Sequence, residues 1–372
     1  MPALKQKIYM AALGLRVHLN LEAGVMRTGS GSLQAQDHKE RIADQNRELE
    51  EARQLLASKA RELADLRARL VRSDVETGAG GVDPKNIVWI FGTGRSGNTW
   101  LTSMMQGAGH AVWKEPAIGK LFGEFYQESR ESQRRNAKFV LGDPRKDVWL
   151  GSIRRFVLEG ASGRFPELSE NDYLVVKEQL GSVGAPLLVE ALPESRMIFL
   201  IRDPRDVVAS WLDGARREGW HYTNVARKEP ESALRILEDP TAYVERQARH
   251  YLRNVGSAAE AYDAHQGPKV LVRYEELRTR TLEEMRRIHS TLGVAVNEGK
   301  LARAVEEHSW EKIPEENKGE RKFYRKATPE GWREDLTPEQ AKTVERITAP
   351  LLKEFYPYDG ESPSPPEKLP AN

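Results

Sequence analysis

Gly92, Gly94 and Gly97 enclose Arg95 and Ser96, and Asn98 and Thr99 follow at once. Glycines let consecutive backbone N–H groups converge on an anion, and the arginine adds a forked cation. The chemistry this spells is phosphate binding. Gly92 and Gly97 with Thr99 two residues later follow the pattern G-x-x-x-x-G-K-[ST], except that Asn98 stands at the lysine and the cation sits upstream at Arg95. An enzyme acting on a nucleoside triphosphate needs that lysine on the β- and γ-phosphates. The pattern therefore disfavours a standard ATPase, and a glycine-rich turn in an ordinary α/β domain is the plainer reading. Four other places carry reactive types: Lys114-Glu115-Pro116, Lys177-Glu178-Gln179, Arg202 with Ser210 eight residues on, and Arg325-Lys326.

Each of these needs an element to position it. The run Ile87-Val88-Trp89-Ile90-Phe91 suits a strand buried on both faces, and Asn98-Thr99 suit a helix start, so a positive helix end faces the loop. Ala111-Val112-Trp113 and Tyr173-Leu174-Val175-Val176 are short strand candidates, residues 120–140 read as a polar helix, and 187–191 as a short helix closed by Leu192-Pro193. Arg196-Met197-Ile198-Phe199-Leu200-Ile201 is a second buried strand. Asp203 as N-cap and Pro204 at the first helical position then start a helix through Trp211, with Asp206 completing a pattern like a capping box. Residues 269–273 repeat the strand and 282–292 the helix. Strands alternating with helices predict a parallel sheet with helices on both faces, whose ligands lie at the carboxyl ends of the strands.

With these segments placed, the chain resembles sulfotransferases that use 3′-phosphoadenosine-5′-phosphosulfate (PAPS). Arg95-Ser96-Gly97-Asn98-Thr99-Trp100 resembles that family's 5′-phosphosulfate loop, and Arg202 with Ser210 its 3′-phosphate signature. Tyr274-Glu275-Glu276-Leu277 resembles the Tyr-Glu-Asp-Leu segment, and Arg325-Lys326-Ala327 with Gly331-Trp332 resembles the C-terminal Arg-Lys-Gly element. The motifs occur in family order. They imply a P-loop-like sulfotransferase fold over residues 85–358, an enzyme that moves the sulfuryl group of PAPS to an acceptor hydroxyl, and no metal. Two anion sites a nucleoside apart fit two strand-to-helix junctions, each with an arginine. By analogy, Trp100 faces adenine, Tyr274 meets its edge, Lys177 is the lysine beside the transferred group, and Arg95 is the cation on the phosphosulfate. The family's small-molecule branch carries a base histidine two residues after that lysine; here that residue is Gln179, which takes no proton at neutral pH. The Glu-Pro context of its carbohydrate branch points instead to Glu115 as general base, with Glu178 as second candidate. A carbohydrate or glycan acceptor follows, in a pocket built from the segment after Glu115 and from residues 211–224, where Trp220, His221 and Tyr222 are expected to stack on a sugar ring. A small metabolite or lipid acceptor, a P-loop kinase-like enzyme and an inactive scaffold are the alternatives. His110, near the loop in sequence, is expected at the surface.

The rest of the chain sets bounds. Its 372 residues carry 57 basic and 56 acidic side chains, a net charge of +1, so no global field draws it to nucleic acid or membrane and any anion site must be local. With no cysteine, disulfides and thiolate chemistry are excluded. Residues 36–73 lack glycine and proline, and Ile42, Leu49, Leu56, Leu63 and Leu70 recur every seven residues. A weak coiled coil through which the chain self-associates fits this, and so does a lone or docked helix. It belongs to an N-terminal helical region, 1–80, ending in a glycine-rich linker, and 359–372 read as a disordered proline-rich tail. No stretch reaches the roughly 18 apolar residues a spanning helix needs. The expectation is a cytoplasmic protein, with a membrane-surface helix over 5–22 as the alternative.

Overall fold

A computed structural model describes residues 45–47, 50–55, 58–59, 82–131 and 146–356. The chain divides into two units, Met1–Glu76 and Thr77–Asn372. In the first, the described residues are helical and exposed. The five heptad positions, the segment 5–22, most of the linker and the tail 359–372 lie outside the described residues.

The second unit opens with a 3₁₀ turn, Pro84–Asn86, capped by the Asp83 side chain. It delivers the chain into β1 (Ile87–Gly92), every residue of which is buried. There follow α1 (Asn98–Gly107), β2 (Ala111–Lys114), α2 (Ile118–Glu131), α3 (Lys146–Arg164), β3 (Leu174–Lys177), α4 (Ala185–Ala191) and β4 (Arg196–Ile201). The chain continues through α5 (Pro204–Ala215), α6 (Trp220–Lys228), α7 (Pro230–Glu238), α8 (Pro240–Ala264) and β5 (Lys269–Arg273). It ends with α9 (Tyr274–Thr279), α10 (Thr281–Leu292), α11 (Glu298–Glu307), α12 (Trp332–Asp335) and α13 (Pro338–Phe355).

The five strands form one parallel sheet in the order β2-β3-β1-β4-β5. Alternation along β1 sends Ile87, Trp89 and Phe91 into a core shared with α3, α4 and α8, and Val88 and Ile90 into a second core with α1, α10 and α11. Covering both faces is what the unbroken apolar run requires. At about 1.5–3 kcal/mol per fully buried large apolar side chain, Ile87 to Phe91 alone remove from water on the order of 10 kcal/mol of unfavourable hydration. The one polar atom in that run is satisfied: Trp89 Nε1 donates to Ser195 Oγ at 3.0 Å.

Register then fixes where the polar residues emerge. Ile90 and Lys114 both pair with Lys177, and Ile201 pairs with Arg273, so all five strands end at one edge. From β1 the chain winds toward β2, and from β4 toward β5. The order therefore reverses between these neighbours, and a crevice opens between the loop after β1 and the start of α5. The doubly covered parallel sheet expected from the sequence is the one observed. The helix expected over 120–140 runs Ile118–Glu131.

Candidate active site

Loop 93–97 turns twice through left-handed backbone, at Arg95 (φ 72°) and Gly97 (φ 90°). Gly97 is required on a second count, because a Cβ there would lie 2.7 Å from the Tyr274 ring. Asn98, at the position of the expected lysine, works inside the protein: its Nδ2 donates to Thr93 O at 2.6 Å and Gln179 Oε1 at 3.2 Å, closing the loop. Thr93 Oγ1, Ser96 Oγ and Asn98 Oδ1 are buried without a hydrogen-bond partner among the described residues. Buried polar atoms are seldom left so, and these line a loop shaped for an anion with its own acceptors and donors.

At the end of β3, Lys177 Nζ lies 3.0 Å from Thr99 Oγ1 and 3.1 Å from Glu115 Oε1. Glu115 follows β2 with φ 52°, and its Oε2 accepts the Leu180 N–H at 3.1 Å. Burial raises the Glu115 pKa, and Lys177 opposes that rise. Its neighbour in role, Glu178, is placed differently. Glu178 is 0% exposed, faces away from Lys177, and accepts the Ile118 N–H at 2.8 Å.

Across the crevice, the Arg202 guanidinium lies 4.3 Å from the Tyr274 ring centroid. It donates to Arg95 O at 3.1 Å, while its buried Nε has no partner among the described residues. Arg95 turns toward this end too: Nε donates to Ser210 Oγ at 2.9 Å and Nη2 to Phe323 O at 2.6 Å. The guanidinium lies over the rings of Trp220 and Phe323, 5.1 and 4.7 Å from their centroids. Burial, with Arg202 and Arg325 nearby, pulls the Arg95 pKa down to about 10. Three guanidiniums thus gather around Ser210, and like charges gathered in a cleft call for an anion between them. Arg325 ion-pairs with Asp335 and donates to Ala209 O at 3.3 Å. Lys326 Nζ reaches Glu334 at 2.9 Å and Asp335 at 3.1 Å. Arg325 and Lys326 are therefore ion-paired as well as facing the cleft.

Between the two ends lies a cavity of about 590 Å³, lined by Trp100, Tyr274, Arg278 and Trp310 among others. Trp100 Nε1 donates to His308 O at 2.8 Å, and its ring meets Tyr274 edge-on at 6.3 Å. The cavity is of nucleotide size.

Three expectations need correction. Asp206 does not complete a capping box: it is buried, and its two oxygens accept the Glu330 and Trp332 N–H groups, each at 2.9 Å. His110 is 9% exposed rather than at the surface, and its Nε2 lies 3.1 Å from that of His289. Nor do Trp220, His221 and Tyr222 form a free platform for a sugar. Trp220 packs on Trp211 and Phe323, His221 packs on Trp211 and Tyr243, and Tyr222 is not among the residues lining the cavity.

Sequence reading passed over Asp213, Phe323, Trp310 and Arg278. Asp213 Oδ2 accepts the Arg321 N–H at 2.8 Å. With Asp206 seven residues earlier on the same face of α5, it ties down the segment that carries Phe323 and Arg325. Two aspartates seven apart in an otherwise apolar helix were the available signal.

A sheet of this order, with an anion loop after its central strand and a cation cluster after the next, defines a nucleotide-dependent transferase. The family model described as the sulfotransferase domain matches residues 85–356, and the chain belongs to the sulfotransferase family. Similar solved structures include mouse sulfotransferase SULT7A1 complexed with PAP, at 13% identity, 75% of this chain, 88% of that chain and TM-score 0.44. Sulfotransferase STF9 from Mycobacterium avium matches at 15% identity, 74% and 78% coverage and TM-score 0.42. A sulfotransferase from Alicyclobacillus acidocaldarius matches at 15% identity, 71% and 91% coverage and TM-score 0.37. No curated protein matches the chain. Among the described residues no helix is long and apolar enough to cross a membrane.

Proposed function

We propose that the chain transfers the sulfuryl group of PAPS to an acceptor hydroxyl, with residues 85–358 as the catalytic unit. The observation that carries the reading is the pairing of two unlike anion sites across one nucleotide-sized cavity. One is a loop ending at Thr99, Lys177 and Glu115; the other is Arg202, Ser210, Arg95 and Arg325.

PAPS is a substrate here, and the residues suit it. Ser96, Thr99 and the loop N–H groups, that of Asn98 among them, hold the 5′-phosphosulfate; Arg202, Arg95, Ser210 and Arg325 hold the 3′-phosphate, with Lys326 at its rim; Trp100 and Tyr274 hold adenine. The acceptor oxygen attacks sulfur in line, its proton passes to Glu115, and the bond from sulfur to the bridging oxygen breaks to release adenosine 3′,5′-bisphosphate. Lys177 stands where that bridging oxygen gathers negative charge and supplies the cation. The Glu115 pKa, raised by burial, moves toward neutrality and improves the group as a base. Arg95, turned to Ser210, serves the 3′-phosphate in this geometry rather than the phosphosulfate, as the sequence had suggested. An arginine there keeps its proton throughout.

For the acceptor we propose a carbohydrate or glycan hydroxyl, supported by the Glu115-Pro116 context. One observation favours a second reading, an apolar alcohol: Leu180, whose N–H holds Glu115, is 52% exposed and gives the base an apolar neighbour. Transfer of labelled sulfate from PAPS to matched panels of glycans and apolar alcohols decides between them. Transfer to neither, together with absent binding of adenosine 3′,5′-bisphosphate, removes the proposal. Protection by ATP with Mg²⁺ in its place would point to a kinase-like enzyme.

A further inference from the structure

We propose that Glu178 is a positioning residue for Glu115: its buried carboxylate holds the start of α2 and so presents the Glu115 carboxylate to Lys177. The inference rests on the reading of Glu115 as the base.

The geometry begins with strand alternation. Lys177 and Glu178 are consecutive, so their side chains leave the sheet edge on opposite sides. Lys177 goes to Thr99 and Glu115, and Glu178 goes beneath α2. The Glu178 backbone is fixed before its side chain acts, because its N–H donates to Ile90 O at 3.0 Å and extends the ladder onto the central strand. From that anchor Oε1 accepts the Ile118 N–H at 2.8 Å, and the Gly119 N–H lies near the carboxyl, whose Oε2 is buried without a hydrogen-bond partner among the described residues. These are the first N–H groups of α2, which have no partner inside the helix, and a carboxyl oxygen placed against them accepts whether the group is charged or neutral.

Between Glu115 and α2 lie only Pro116 and Ala117. Glu115 and Ala117 both adopt left-handed backbone, φ 52° and 59°, and neither is glycine. L-residues hold that conformation only where the surroundings enforce it. The β2 side of the turn is held by the Glu115 N–H, which donates to Lys177 O at 2.9 Å. Glu178 holds the other side. The packing allows little drift: a Cβ at Gly181 would fall on Glu178 Oε2, and one at Gly119 on Gly181 O. Remove the carboxylate and the turn can relax to right-handed backbone, which swings the Glu115 side chain away from Lys177.

The same burial separates this role from that of a second base. Glu178 is 0% exposed, and burial, with the Glu115 charge adding, pushes its pKa up to about 8. A carboxyl enclosed by α2 and the turn at 181–184 can hold backbone but cannot meet an acceptor.

The test is a cycle of four proteins: wild type, Glu178→Ala, Glu115→Gln and the double variant. Release of labelled sulfate from PAPS to water is followed under single turnover. Glu178→Ala should slow release about 10- to 100-fold, with half-saturation by PAPS within about twofold of wild type. Glu178→Gln, which keeps the acceptor oxygen, should recover most of the rate. In the Glu115→Gln background, Glu178→Ala should change the rate less than about twofold. Equal losses in both backgrounds overturn the inference while leaving Glu115 as base. A silent Glu115→Gln removes the base reading and the inference with it. If Glu178→Ala fails to fold, Gly181→Ala, which displaces the carboxylate, takes its place in the cycle. A crystal structure of either variant gives a readout independent of activity: the Glu115 to Lys177 pair should be broken, and a pair still at 3.1 Å overturns the inference.

Discussion

Arg202 stands between a strand end and a helix start with its Nε buried and unpartnered among the described residues, so it stands to gain from a ligand anion. Arg202→Ala should weaken binding of adenosine 3′,5′-bisphosphate by roughly 1.5–3 kcal/mol, the value of a charge-assisted contact. Titration calorimetry reads this directly, and unchanged affinity removes the 3′-phosphate assignment. Glu115→Gln separates binding from chemistry. The amide still faces Lys177 but takes no proton, so turnover with the best acceptor should fall about 10²- to 10⁴-fold while nucleotide affinity holds. Retained turnover would take the base role from Glu115. Which residues gather at the site was largely legible beforehand, because backbone pattern places Lys177, Arg202 and Tyr274 at strand ends whatever their rotamers do. Where long side chains point was not legible. Arg95 has several rotatable bonds, and Ser210 and the rings of Trp220 and Phe323, distant in sequence, hold its guanidinium at the Arg202 end of the cleft.

The strands were readable because burial on both faces leaves uninterrupted apolar runs, as in β1 and β4. Helix α8 was not, since its buried face mixes Tyr243, Val244, Tyr251 and Val255 with alanines, Asn254 and Ser257, a set that contrasts little with a polar surface. The segment 307–331 escaped for another reason: it is held from outside. Its backbone hangs on Asp206 and Asp213 of α5. Asp213→Ala leaves the Arg321 N–H without its acceptor, which should cost about 1–3 kcal/mol of stability and loosen the Phe323 wall against Arg95. Weaker nucleotide binding alongside the lower melting temperature is expected, and a lower melting temperature alone would show that the wall stands without the tether. A second cross-element contact carries a pH signature. His110 closes the turn before β2 and meets His289 of α10. His289 Nδ1 donates to Met285 O at 2.7 Å, so its Nε2 accepts the proton of His110 Nε2. Burial, with His289 adding, pulls the His110 pKa from the ordinary 6.5 down to about 4. Above about pH 6.5 the imidazole is neutral folded or unfolded, and the contact stabilises in full. As pH falls toward 4 the unfolded chain takes the proton first, so stability is lost, by about 2 kcal/mol at pH 5. Melting curves from pH 7 to 5 should show this slope in the wild type and a shallower one in His110→Phe.

Taken together, the chain is almost neutral, at +1, yet it gathers Arg95, Arg202 and Arg325 in one cleft. Such a molecule does not attract anions at a distance; it strains locally against its own cations, and after burial, the larger cause, Arg202 and Arg325 lower the Arg95 pKa further. A nucleotide carrying a 3′-phosphate should relieve that repulsion while touching the loops after β1, β4 and β5 and the segment 307–331 at once. Binding to the folded state alone stabilises by about 2.7 kcal/mol when ligand is 100 times its dissociation constant. For a unit of this size each kcal/mol is worth roughly 2–3 °C. Adenosine 3′,5′-bisphosphate at that excess should therefore raise the melting temperature by about 5–8 °C. Adenosine 5′-monophosphate at the same concentration fills the phosphate loop but leaves the guanidiniums facing one another, so its shift should be less than about half as large. High salt should narrow the gap between the two nucleotides, because only the 3′ contact is chiefly ionic. Equal shifts from both would mean that the cation cluster is satisfied by its own carboxylates, Asp206 and Asp335, and reads no phosphate.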